Sequence, residues 1–174
     1  MRLIWVKNKK NEHKRGVFNL IGAKQKHHLQ TIYKICYVYS TDLQLQEDLF
    51  QEVVINLWNS WPKFRHDCKV QTWVYRIALN TCISFLRKSK SRPNSLPLTQ
   101  NIEVFAEDYD LARTKVLYNL INKLDKIEKA LVLLYIEEKS HEEISQIIGI
   151  PRSNVAVKLF RIKEKLKQMS QNQN

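Results

Sequence analysis

The stretch 71–90, QTWVYRIALNTCISFLRKSK, decides the fold, because it predicts one helix with two opposed faces. At about 100° per residue, apolar side chains fall on one arc, namely Val74, Ala78, Cys82, Phe85 and Leu86. The opposite arc carries Trp73, Arg76, Ile77, Asn80, Ser84, Arg87 and Lys88. The first arc is typical of a core stripe. The second offers an aromatic face, cations and an amide, which suit the bases and phosphates of single-stranded nucleic acid. In the alternative interpretation, a neighbouring helix covers Trp73 and the cations are merely solvated.

The composition favours a basic helical protein. The chain has 174 residues, of which 44% are hydrophobic, so it can bury a core in one domain or two small ones. Lys and Arg outnumber Asp and Glu by 29 to 17, and the net charge of +12 indicates nucleic acid or an anionic membrane surface. Only 3 Gly and 4 Pro indicate few tight turns. No apolar run approaches the roughly 18 residues of a membrane span, so we expect no membrane insertion and a cytoplasmic location.

The cysteines and histidines predict neither a disulfide framework nor a metal site. Cys36, Cys68 and Cys82 are scattered without a CxxC spacing, which favours reduced and mostly buried thiols. His66, Asp67 and Cys68 are consecutive, and three consecutive ligands do not readily converge on one ion. We therefore expect no metal, no cofactor and no catalytic residue.

The chain divides into two helical parts. We predict a basic arm over 1–16, a helical domain over 17–90, a linker over 91–107, a second helical domain over 108–169 and a tail over 170–174. The linker is indicated by two prolines and many small polar residues in the stretch 89–99, SKSRPNSLPLT.

The first domain contains two further predicted helices, Val17–Ser40 and Glu47–Trp58, joined by a short connection over 40–46. Ser60–Val70 is predicted to be a loop, because Pro62 ends the preceding helix. One face of the Glu47 helix is apolar and continues into Trp61. The opposite face carries Asp48, Gln51, Glu52 and Ile55. An aliphatic residue within an acidic face favours contact with a basic protein partner. A solvated acidic face with one stray Ile is the alternative.

The second domain contains repeated capping signals. A helix is predicted over Leu111–Leu124. Asp125 with Glu128 predicts an N-cap and a helix to about Glu138 that buries Ile127, Leu131, Leu134 and Tyr135. Ser140 with Glu143 predicts a second capping box, and Gly149 predicts the end of that short helix.

The last predicted helix, Arg152–Lys167, completes a helix-turn-helix pattern. Its first turns carry Arg152, Ser153, Asn154 and Val157, which suit base edges in a major groove. Cations that suit phosphates follow at Lys158, Arg161, Lys163 and Lys165. The alternative is a structural helical hairpin with a solvated basic face.

The order and spacing of these motifs resemble an extracytoplasmic-function (ECF) sigma factor, a promoter-specificity subunit of bacterial RNA polymerase. The resemblance covers roughly residues 17–168. It rests on the segments 48–52 (DLFQE), 73–80 (WVYRIALN), 86–88 (LRK) and 159–166 (LFRIKEKL). Ser84, Ala156, Val157 and Lys158 depart from residues common in the family, so the resemblance does not imply a promoter sequence.

The resemblance implies an all-α fold of two small domains on a flexible linker, a non-enzymatic function and three sets of contact residues. Docking on the β′ coiled coil of core polymerase would use Asp48, Gln51, Glu52 and Ile55. Opening of the −10 element and binding of its single strand would use Phe64, Arg65, Lys69, Trp73, Arg76, Ile77, Asn80, Ser84, Arg87 and Lys88. Binding of the −35 duplex would use Arg152, Ser153, Asn154, Val157, Lys158, Arg161 and Lys165. The last domain would also rest on the β flap, and family members are often inhibited by an anti-sigma factor.

Two other functions compete with this one. A stand-alone helix-turn-helix regulator would bind duplex DNA alone, and it leaves the Trp73 face and the Asp48 face without a role. A basic nuclease would need convergent carboxylates for a metal, whereas the acids here are dispersed over several helix faces.

Overall fold

The computed structural model describes residues 26–89 and 111–171, and every regular element within these ranges is helical. The first range contains α1 (Lys26–Tyr39), α2 (Leu43–Ser60), a 3₁₀ turn (Trp61–Lys63) and α3 (Val70–Ser89). The second range contains α4 (Leu111–Asn122), α5 (Lys126–Ile136), α6 (His141–Ile148) and α7 (Arg152–Gln171). The expected all-α fold is confirmed. The predicted arm over 1–16, the linker over 91–107 and the start of the Val17–Ser40 helix lie outside the described residues.

The first helical module is built around α3, which packs against both α1 and α2. Its core is formed by fully buried side chains on all three helices, including Ile35, Cys36, Leu49, Val53, Leu57, Val74, Ala78 and Cys82. Full burial of one aliphatic side chain contributes about 1.5–3 kcal/mol, so the apolar arc of α3 is the main stabilising surface of this module. Cys36, Cys68 and Cys82 are free thiols, and only Cys68 is partly exposed.

Helix α2 begins earlier than predicted. Asp42 is its N-cap, and the carboxylate accepts a hydrogen bond from the Leu45 backbone N–H at 2.8 Å. The helix therefore includes most of the segment predicted as a connection over 40–46, and Gln46 is buried. Because the Asp42 side chain caps the first backbone N–H groups, the helix starts at Leu43. The connection between α1 and α2 is therefore shorter than predicted.

The second module consists of α4 to α7, with the helix-turn-helix formed by α6 and α7. Both predicted capping boxes are present, at Asp125 and at Ser140. Gly149 ends α6 in the left-handed region at φ 80, as the sequence predicts. Helix α7 extends to Gln171, four residues beyond the predicted end.

Helix α5 differs most from its predicted pattern. Ala130–Leu134 is buried without interruption, because α5 lies in the middle of the module against α4, α6 and α7. The predicted burial of Ile127 and Tyr135 is wrong: they are 40% and 44% exposed. A helix enclosed on most sides does not bury only one face. The residues in the middle of α5 are therefore buried all around, and those near its ends are exposed. None of the described helices has the length and apolar character needed to span a membrane.

Candidate nucleic-acid interface

The first turn of α3 carries an aromatic cluster and not an exposed indole. Trp73 is only 8% exposed. Its ring centroid lies 5.6 Å from that of Trp61, edge-on, and 5.0 Å from that of Phe64. The 3₁₀ turn at Trp61–Lys63 returns the chain toward α3, so that Phe64 covers the indole. The expectation that Trp73 lies on the wet face is wrong. The indole is covered by the 3₁₀ turn and the following loop, whereas the alternative interpretation had a neighbouring helix cover it.

The remainder of the outward arc of α3 is partly exposed. Asn80, Arg87 and Lys88 are exposed, whereas Ile77 and Ser84 are half-buried. Asn80 lies seven residues beyond Trp73, which is about 10 Å along the helix axis. This part of the face therefore keeps the amide of Asn80 and the cations of Arg87 and Lys88, but it lacks the exposed indole of Trp73 that the sequence predicted.

Arg76 is turned toward the second module. Its guanidinium donates a hydrogen bond to the backbone carbonyl of Gln146 in α6. The last carbonyls of a helix lack an intrahelical donor and form the negative end of its dipole. Arg76 therefore satisfies one of these carbonyls with a cation. The sequence placed Arg76 among the residues of a DNA face, and only the tertiary structure brings it to α6.

The loop before α3 is basic and exposed at Arg65 and Lys69. His66 has a positive φ of 60, and its ring lies 4.4 Å from that of Phe64. Phe64 itself is half-buried and packs against the core. The loop thus presents two cations beside the first turn of α3, while its aromatic residue holds it in place.

The acidic face of α2 lies where the sequence predicts it. Asp48, Gln51 and Ile55 are exposed, and Ile55 reaches 52%. Glu52 is half-buried, and its carboxylate lies 3.4 Å from the side-chain nitrogen of Asn56. Trp58 lies three residues beyond Ile55 on the same side of the helix and is 37% exposed. Its spacing of three residues from Ile55 could have revealed that it extends this face.

The capping residues of α6 fix the entrance to the helix-turn-helix. The Ser140 hydroxyl accepts from the Glu143 backbone N–H at 3.2 Å, and the Glu143 carboxylate accepts from the Ser140 backbone N–H at 3.0 Å. The Ser140 backbone N–H, followed by the Ser140 hydroxyl, which also donates to this carboxylate at 3.0 Å, lowers the pKa of Glu143. After the Gly149 turn, the Ser145 hydroxyl donates to the Ile150 carbonyl at 2.6 Å. The start of α7 is therefore held by local hydrogen bonds.

The predicted reading face of α7 is almost entirely exposed. The exposed set comprises Arg152, Ser153, Asn154, Val157, Lys158 and Arg161. Phe160 is 67% exposed and was not predicted to belong to this surface, although it follows Val157 by three residues. An aromatic side chain among cations offers apolar contact as well as charge.

Lys165 is occupied within the module. Its ammonium lies 2.7 Å from the Glu128 carboxylate of α5, and the side chain is half-buried. The prediction that Lys165 contacts the −35 duplex stays a prediction, since this ion pair joins a partly exposed ammonium to Glu128. Lys163 is similarly engaged, since its ammonium donates to the Tyr135 hydroxyl at 2.9 Å and lies 4.1 Å from the centre of that ring.

The fold and these surfaces define a class of protein: a two-module helical DNA-binding protein with a helix-turn-helix and a separate acidic face. Comparison with known proteins specifies the family. The family model described as Sigma-70 region 2 matches residues 25–92, and the model described as Sigma-70, region 4 matches residues 114–166.

Individual relatives agree with these matches. The ECF RNA polymerase sigma factor SigW of Bacillus subtilis (strain 168) is 30% identical over 151 residues, covering 78% of this chain and 81% of the relative. The ECF RNA polymerase sigma-E factor of Escherichia coli (strain K12) is 26% identical over 162 residues, covering 84% and 83%.

Solved structures share the fold. The sigma factor RpoE, in complex with the anti-sigma factor NepR from Bartonella quintana, aligns with a TM-score of 0.69 at 17% identity, covering 85% of this chain and 94% of that one. CnrH, in complex with the cytosolic domain of CnrY, aligns with a TM-score of 0.64 at 18% identity, covering 92% and 91%. The chain belongs to the ECF sigma factors, and it is a promoter-specificity subunit for transcription initiation.

Proposed function

We propose that three separate surfaces divide the work of this sigma factor. The acidic face of α2 docks on the β′ coiled coil of RNA polymerase core. The exposed part of α3 and the preceding loop bind the melted −10 element, and α7 binds the −35 duplex while its module rests on the β flap. The protein contributes binding and no catalysis of its own, and it acts in the bacterial cytoplasm where the polymerase works.

The docking role is carried by one observation. In a chain of net charge +12, Asp48 and Gln51 are exposed together with Ile55 on one face of α2. The exposed carboxylate of Asp48 and the half-buried one of Glu52, beside an aliphatic centre, suit a basic partner surface. They do not suit DNA, because its phosphates would be repelled.

The −10 role relies on Asn80 and on the cations that flank it. Extrusion of a base costs a few kcal/mol, so an amide held on a rigid helix is suited to bind the base after it has left the stack. Arg87 and Lys88 lie two turns further along α3, and Arg65 and Lys69 lie at its other end. Both groups suit the phosphates of a single strand. Trp73 contributes by packing and not by stacking on a base.

A stand-alone helix-turn-helix regulator is disfavoured, because residues 25–92 match a separate family region that such a regulator does not need. We also propose a proteinaceous inhibitor for this chain, since RpoE was solved with the anti-sigma factor NepR.

The test combines core binding with run-off transcription. We expect Asp48→Lys with Glu52→Lys to abolish co-purification with core polymerase, because like charges would then meet. A matched control is Asp67→Lys with Glu164→Lys, which reverses two exposed carboxylates elsewhere. Core binding that survives the first pair, or is lost equally in the control, would contradict the docking surface. Run-off transcription that does not depend on the chain would contradict the proposed function.

A further inference from the structure

An amide side chain joins the acidic face of α2 to α3. Asn56 lies about one helical turn beyond Glu52 on α2, at the boundary where α2 packs against α3. Its side-chain nitrogen Nδ2 lies 3.4 Å from Oε1 of Glu52 and 3.3 Å from Oγ1 of Thr81 in α3. An amide NH₂ group carries two donors. Asn56 therefore donates both to a carboxylate of the docking face and to a hydroxyl of the neighbouring helix.

The α3 end of this connection is rigid. Thr81 is only 8% exposed, and Val53 and Leu57, which flank Asn56 on α2, are fully buried. Side chains in a close-packed core do not move without disturbing their neighbours. The Thr81 hydroxyl is therefore a fixed acceptor, and the Asn56 amide bound to it is restricted to one orientation.

The two carboxylates of the acidic face differ in their freedom. Asp48 is exposed, whereas Glu52 is half-buried and accepts from the Asn56 amide. Glutamate is among the side chains that lose the most rotamer freedom when they become ordered, and in Glu52 the hydrogen bond restricts this freedom before a partner binds. A carboxylate has about four lone-pair sites. The bond to Asn56 therefore leaves most of its acceptor capacity for the cations of a basic partner.

We propose that Asn56 is a positioning residue for docking on polymerase core. It holds the Glu52 carboxylate in place on the acidic face and anchors it to α3 through Thr81. A side chain that is ordered in advance loses less entropy on binding, so the complex with core is tighter. This inference rests on the proposed function, because it requires that the acidic face of α2 dock on core polymerase.

A purely structural role for Asn56 makes a different prediction. An amide that only joins α2 to α3 would affect core binding by the same factor whether or not the Glu52 side chain is present. A positioning residue acts through Glu52, so its effect disappears when that side chain is removed. A double-mutant cycle between Asn56 and Glu52 separates the two roles.

The test is equilibrium binding of the labelled full-length chain to core polymerase at low salt, followed by fluorescence anisotropy. We expect Asn56→Ala to weaken core binding about twofold to tenfold, the range expected for the ordering of one side chain with many rotamers. In a Glu52→Ala background, we expect Asn56→Ala to cause no further loss. Thr81→Val removes the anchoring hydroxyl, and we expect a loss in the same direction that is likewise absent in the Glu52→Ala background.

Two control variants separate the lost donor from lost packing. Asn56→Leu keeps the volume of the side chain but lacks the N–H groups, so we expect it to match Asn56→Ala. Val54→Ala shortens another half-buried side chain of α2, about 160° around the helix from Asn56, and we expect wild-type affinity for core. Urea unfolding followed by circular dichroism reports the stability of each variant, so affinities are compared only where the proteins are folded.

Three results would overturn the inference in whole or in part. Wild-type affinity in Asn56→Ala would exclude a role in docking. An equal loss with and without the Glu52 side chain would make Asn56 purely structural. Wild-type affinity in Thr81→Val would exclude the anchor on α3. The proposed function fails separately: if Asp48→Lys with Glu52→Lys retains core binding, the docking face itself is wrong, whereas loss of binding in that pair with a silent Asn56→Ala refutes only the role of Asn56.

Discussion

Truncation of Trp73 to Ala should destabilise the first module and should not act primarily on DNA. The indole is 8% exposed and packs against Trp61 and Phe64 at 5.6 and 5.0 Å between centroids. Removal of a buried Trp costs about 3–5 kcal/mol, and a domain of this size has only about 5–15 kcal/mol of total stability. About a fifth or more of the free energy of unfolding would be lost. Loop 64–69 would also lose its anchor on α3.

The assay is urea unfolding followed by far-UV circular dichroism, because the substitution itself changes the fluorescence. Trp58→Ala is the matched control: it removes the same side chain from a position that is 37% exposed, so the expected loss is smaller. Binding of a single-stranded −10 oligonucleotide is measured where both variants are folded. A Trp73→Ala protein as stable as Trp58→Ala but unable to bind that oligonucleotide would refute the reasoning, since the indole would then be stacking on a base.

Three further predictions concern the promoter surfaces. Asn80→Ala should impair open-complex formation more than −35 duplex binding, because Asn80 is exposed on α3; equal losses in the two assays would count against the role. Arg161→Ala should weaken −35 binding and reduce the salt slope of that binding by about one. Lys165→Ala should reduce the slope less, because Lys165 pairs with Glu128; equal slopes in the two variants would contradict this difference. Gly149→Ala should destabilise the second module by roughly 1–2 kcal/mol, because its φ of 80 is strained for a residue with a side chain. The loss should be no larger, because an added Cβ would contact nothing within 4 Å; a larger loss in denaturant melts would indicate a clash.

Local signals were predicted well from the sequence. The capping boxes at Asp125 and Ser140 and the left-handed turn at Gly149 involve residues at most four positions apart, so the short-range pattern suffices to define them. The acidic face of α2 was also predicted, because the helical period of 3.6 residues places its acidic and apolar residues on opposite sides of the helix. Asp42 was the missed signal, and recognition of its N-cap would have started α2 correctly.

The errors concern residues whose surroundings come from distant parts of the chain. Trp73 is covered by residues about ten positions earlier, after a turn at Pro62, and periodicity contains no information on such a return. The ion pair between Lys165 and Glu128 joins residues 37 apart and was equally absent from the local pattern, although the predicted DNA contact of Lys165 stays a prediction. Tyr135 is exposed because α5 is enclosed along its middle and open at its end, a property of the whole module.

The sequence alone determined the helical fold, the caps at Asp125, Ser140 and Gly149, and the resemblance to the family, because these follow from contacts within a few residues and from the order of motifs. Only the tertiary structure determined which outward residues are exposed for contact with DNA. It also brought Arg76 and Glu137 into contact with the opposite module. Local periodicity assigns each residue to a side of its helix, but burial and ion pairing depend on what the folded chain brings to that side.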